Sequence, residues 1–192
     1  MPPMVERLRG LFQSPVREWE IIKQEYLPSL LGLLRRYHIP VGLLLIVSFF
    51  LATWIRHGLS RHLLTQGLVA PLLLFLFFIL ALYILGLIAE EATELLGNIA
   101  PPKSGMKLTF FAAYPLAYAL IFLPIPYMGG FLVILCLFYF FHLMASGAEH
   151  LYGIAGKRRF FWIATVIIAS LLVFFLTSTL FLILSFLVNL IF

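Results

Sequence analysis

Charge is scarce in this chain and aspartate is missing altogether: of 192 residues, only 11% are Asp, Glu, Lys or Arg. A soluble domain carries about a quarter. The hydrophobic share of 63% is more than so short a chain can bury against itself, so lipid must solvate part of its surface. The missing aspartate excludes a Ser-His-Asp triad. The single cysteine, Cys136, excludes an intrachain disulfide framework and a cysteine-built metal centre; within its apolar run it reads as a packing residue. Gly-x-Ser-x-Gly, His-Glu-x-x-His and phosphate-cradling glycine loops are also absent, so no named reaction and no cofactor can be read from motifs.

A net charge of +5 could point to nucleic acid. Here the basic residues lie in short segments flanking apolar runs, where anionic lipid headgroups are the partners within reach, and no soluble basic domain remains to hold a nucleic acid.

What the chain does have is long apolar runs, which read as helical spans at about 38–56, 67–89, 107–123, 127–146 and 160–189. A backbone facing lipid must satisfy its own hydrogen bonds, and no alternating barrel pattern appears. The expected fold is therefore an all-α integral membrane protein: a bundle of about five transmembrane helices with an N-terminal amphipathic interfacial helix. Residues 1–36 form the cytoplasmic or interfacial segment and 37–192 the transmembrane domain. The first strongly apolar run begins near Ile39, behind a mixed-charge stretch, and reads as an uncleaved first span.

Ser14-Pro15 is a helix start, with serine as cap and proline at the first helical position. Val16, Trp19, Ile22 and Tyr26 then recur at helical spacing, so this helix either lies in the interface, tryptophan side down, or packs on the bundle. Pro28 interrupts it before Arg35-Arg36. Trp19, Arg35, Arg36, Lys157, Arg158 and Arg159 are the expected membrane-interface residues. Pro115 should kink the short third span, and the uncharged Pro124-Ile125-Pro126 turn folds spans three and four into a hairpin. The apolar run from Phe160 to Phe192 would be roughly 50 Å long as one helix, more than a bilayer core. It must tilt, break or run along the far interface, with Thr177-Ser178-Thr179 the expected irregularity.

Of the 13 lysines and arginines, eleven fall in the N-terminal segment and in the second and fourth loops. Only Arg56 and Arg61 fall opposite. By the positive-inside rule the N-terminus is cytoplasmic and, with five spans, the C-terminus outside.

Two polar clusters could carry function, because polar groups near lipid are costly. One is Glu90, Glu91 and Glu94 at the end of span two. The other is His142, Ser146, Glu149 and His150 at the end of span four. They permit an ion or partner site, and a divalent metal between facing helices is the sharpest form of that reading. The spacing matches no ligand signature, so solvated loop-edge residues paired with Lys103, Lys157 or Arg158 are the preferred reading, and no metal is assigned. His57 and His62, beside Arg56 and Arg61, could meet phosphate headgroups on the other side.

Several short elements resemble bacterial Yip1-domain proteins. They are Phe12-Gln13-Ser14-Pro15 followed by Trp19-Glu20-Ile21-Ile22; Gly105-Met106-Lys107 leading into Ala112-Ala113-Tyr114-Pro115; Leu123-Pro124, Pro126 and Gly129; and Phe140 to Lys157 with Gly147. The Asp-Leu-Tyr-Gly-Pro element of eukaryotic members is absent, so GTPase binding and Golgi trafficking are not carried over. The resemblance implies a bacterial cytoplasmic (inner) membrane protein without catalysis. It would act as a scaffold or adaptor whose partners are membrane lipids and other membrane proteins, or itself as a homo-oligomer. The alternative is a small transporter, channel or lipid-handling protein with a polar site near Glu90, Glu94 and His142.

Overall fold

The computed structural model describes residues 4–25 and 30–191. Tyr26, Pro28 and Phe192 lie outside the described residues. Within those residues the chain is helical, without strands. In order come α1 (Met4–Gln13), α2 (Pro15–Gln24), the short α3 (Leu30–Leu33), a π-helical stretch (Leu34–His38) and α4 (Ile39–His57). Then follow α5 (Arg61–Leu64), a second π-helical stretch (Thr65–Val69), α6 (Ala70–Leu95), α7 (Ser104–Ala112), α8 (Tyr114–Leu120), α9 (Met128–Tyr152) and α10 (Gly156–Ile191).

Among the described residues, four helical stretches are long and apolar enough to cross a membrane: Leu31–His57, His62–Leu95, Met128–Tyr152 and Gly156–Val188. At most 33% of the most apolar window of each is buried within the protein. Side chains such as Phe138, Phe175 and Phe186 therefore point outward, as lipid-facing helices require. Both π-helical stretches end two residues before a proline, Pro40 and Pro71. Proline lacks an N–H and crowds the carbonyl four residues back, and the wider π turn lets each helix pass through it.

The third expected span is the centre of the molecule. It runs as α7 and α8, interrupted at Ala113, two residues before Pro115. Fourteen of residues 104–120 are buried, among them Ala113 and Ala117, whose small side chains admit close neighbours. The segment connects the two ends of the bundle: Gly105 lies beside Glu90 near the end of α6, and the turn after α8 meets Arg56, whose Nη2 donates to the Pro124 carbonyl at 2.5 Å. It is shorter than the four long stretches.

The expected irregularity at Thr177-Ser178-Thr179 does not form, and α10 is continuous through it. The Thr177 hydroxyl donates to the Val173 carbonyl (2.7 Å) and that of Thr179 to the Phe175 carbonyl (2.9 Å). Hydroxyls satisfied within the helix leave its backbone ladder intact.

The N-terminal helices pack on the bundle. Trp19 and Ile22 of α2 are fully buried, and α2 lies against α9. A Cβ added at Gly147 would come within 2.8 Å of the Trp19 ring, so a glycine on α9 makes the seat for the indole. Trp19, expected at the membrane interface, is thus enclosed by protein; the apolar stripe of α2 is satisfied by a helix rather than by lipid.

Candidate functional site

The end of the bundle that carries the N-terminal helices and the C-terminal ends of α6 and α9 holds most of the charged side chains. On α6, Glu90 is half-buried and its Oε1 accepts from the Gly105 N–H at 3.0 Å. That N–H belongs to the first turn of α7, whose donors have no partner within the helix, and a carboxylate there also complements the helix dipole. The contact exists because α6 and α7 approach closely: a Cβ on Gly105 would sit 2.0 Å from the Gly86 carbonyl oxygen. Glu91 and Glu94 are exposed.

On α9, His142 is exposed and stacks on Tyr139 with ring centroids 5.8 Å apart. His150 Nδ1 lies 2.8 Å from the Ser146 carbonyl oxygen, one turn back on its own helix. Glu149 is exposed and pairs with Arg159 at 2.5 Å. The Glu90 and His142 clusters stay apart because α7 packs against both α6 and α9 and takes up Glu90 itself. Among the described residues, no three of His, Cys, Asp and Glu are grouped so as to share a metal ion.

The interface residues are placed as follows. Arg35, Arg36, Lys157 and Arg158 are exposed; Arg36 lies 6.0 Å from the Tyr37 ring centroid. Arg158 Nη1 donates to Asn98 Oδ1 at 3.4 Å, while Asn98 Nδ2 donates to the Tyr152 carbonyl at 3.0 Å. Asn98 thus ties the loop after α6 to the end of α9. Nearby, Trp162 Nε1 donates to Thr93 Oγ1 at 3.0 Å, joining α10 to α6 inside the bundle.

One fully buried charged group has no motif behind it. Arg7, on α1, is fully buried and pairs with both Glu18 and Glu25. Its guanidinium carbon lies 5.3 Å from the Phe111 ring centroid, a cation–π contact in a desolvated place. Lys107 Nζ donates to the Ile22 and Glu25 carbonyls at the end of α2, where a cation satisfies orphan acceptors. Tyr139 donates its hydroxyl to the Leu11 carbonyl at 2.6 Å, and Phe12 stacks on the same ring. Deeper in, Tyr37, His38, Phe110 and Tyr114 form a buried aromatic cluster, His38 edge-on to Phe110 at 5.0 Å. The sequence signal for Arg7 was faint: Arg7 and Leu11 share a helix face, and the Ser14-Pro15 break folds that face towards Glu18.

Taken chemically, these groups hold helices together. Carboxylates, amides and cations meet backbone ends or each other across α1, α2, α6, α7, α9 and α10, and no nucleophile–base pair is assembled among them. No protein-family model matches the chain, and comparison with curated proteins and with solved structures returns no match.

Proposed function

We propose that this chain is a Yip1-like, non-enzymatic scaffold or adaptor of a bacterial cytoplasmic membrane, assembling with other membrane proteins or with itself. On this reading α7–α8 counts as a fifth crossing, the N-terminus is cytoplasmic and the C-terminus lies outside. One observation carries the proposal. The buried and half-buried charged side chains Glu90, Arg7 and Glu18 are engaged in helix-to-helix bonds, Glu90 on Gly105 and Arg7 between Glu18 and Glu25. Polar groups fixed in this way stabilise an architecture and are poorly placed for turnover. The long outward-facing apolar faces of α9 and α10 are the surfaces a partner helix would use, by close packing instead of hydrophobic drive.

The test is purification in mild detergent followed by native mass spectrometry. The expected result is a defined oligomer, or a stoichiometric membrane-protein partner, without bound metal. A monomer carrying a stoichiometric metal that is lost in His142→Ala or Glu94→Ala would overturn the proposal. The second reading is a transporter, channel or lipid-handling protein. What favours its lipid-handling form is an apolar groove in the side of the bundle between α6, α9 and α10.

A further inference from the structure

The groove has a volume of about 280 Å³. It exists because α9 and α10, joined by a short link at the charged end, touch each other sparsely, while α10 leans on α6 and α8 on α9. The floor is α8, through Leu116 and Leu120; the walls include Phe78, Leu137 and Phe174. Thr177 and Ser178 are the only polar residues in the lining, and the Thr177 hydroxyl is bonded to its own helix at 2.7 Å. Water or a polar solute would find almost nothing to bond there, and leaving its own hydrogen bonds unmade costs several kcal/mol (~2–7). Along α10 the lining runs from Leu171 to Phe181, about 15 Å at the helical rise.

Lining and charge choose the occupant. An almost wholly apolar lining suits a hydrocarbon chain. Beyond the groove, one helical turn from Leu74 along the same face of α6, Ala70 borders a second opening of about 390 Å³. Its rim carries Thr53, Arg56 and Gln66. Arg56 is exposed and uses one N–H on the Pro124 carbonyl, which leaves other donors of its planar fork for a phosphate. We propose that the bundle binds one anionic phospholipid from the leaflet opposite the N-terminus, with an acyl chain in the α6–α9–α10 groove and the phosphate on Arg56. The inference needs the membrane placement of these helices but not the scaffold role, so each can fail without the other.

The test uses the full chain in lipid nanodiscs doped with phosphatidylglycerol bearing a photoactivatable diazirine on its acyl chain, with crosslinks mapped by peptide mass spectrometry. Leu116 and Leu120 are only 4% and 8% exposed, so the annular lipids that touch Phe138 and Phe175 do not reach them. The expected result is labelling of Leu116 and Leu120. Unlabelled phosphatidylglycerol should compete better than phosphatidylcholine, and both Leu137→Trp and the milder Val133→Phe should abolish the floor labels. Arg56→Gln should weaken that competition roughly tenfold, the equivalent of one charge-assisted bond. Labels confined to Phe138 and Phe175, equal competition by phosphatidylcholine, or floor labels replaced by a crosslink between two copies of the chain would each overturn the proposal.

Discussion

Gly86 and Gly105 set how closely α6 and α7 approach. A methyl group on Gly105 would meet the Gly86 carbonyl at 2.0 Å, a backbone atom that cannot step aside; one on Gly130 would meet nothing within 4 Å. Gly105→Ala should therefore cost about 1–3 kcal/mol as overpacking, while Gly130→Ala should change little, both read from thermal unfolding in detergent. Arg7 offers a second test at this scale. Removing it leaves buried Glu18 without a counter-charge and half-buried Glu25 with only Lys107 beside it, so Arg7→Met should destabilise by about 3–5 kcal/mol. Adding Glu18→Met and Glu25→Met should restore most of that, since a buried ionic group replaced whole by apolar side chains is often neutral. Residual destabilisation as large as that of the single variant would refute this account of the cluster. Little of this cluster was legible in the sequence, because Arg7 looks like any other charge on an amphipathic helix until the chain reverses at Ser14-Pro15.

Elements were more legible than contacts. The apolar runs locate α4, α6, α9 and α10, and Pro115 marks the break between α7 and α8. The run at 67–89 extends in the structure to His62–Leu95, because a helix continues past its apolar stretch when neighbours satisfy its ends. Glu90 lies in that added length. The sequence placed Glu90 with Glu94 as a possible ion site; the geometry gives it to the first turn of α7. Glu90→Ala should cost about 1 kcal/mol, like the loss of a helix cap, and should make the loop at residues 96–103 more sensitive to limited proteolysis. Glu90→Gln, which keeps the acceptor, should lose only the charge contribution, about 0.3–1 kcal/mol. Equal loss in both variants would mean that the carboxylate acts through its charge alone.

At the scale of the whole molecule, two independent features point the same way. Basic residues crowd the end that carries α1, α2 and the loops after α6 and α9, and Arg56 stands with the Pro124 turn at the other end. The broken α7–α8 segment joins those ends, so the number of traverses is odd and the termini fall on opposite sides if all of them cross lipid. A single-cysteine series in a Cys136→Ala background decides it in intact cells. Cysteines at exposed Ser14 and Leu95 should react with a membrane-impermeant maleimide only after the cells are opened, whereas cysteines at Leu59 and Tyr127 should react before. The prediction is sharpest at Tyr127, which is 96% exposed in the turn after α8. If α7–α8 were a re-entrant hairpin on the cytoplasmic side, Tyr127 would be shielded in intact cells together with Leu95, and α9 would have to run the other way. Reaction at Tyr127 from outside, together with protection of Leu95, requires the short, buried helix pair to complete a crossing that its length alone would not announce.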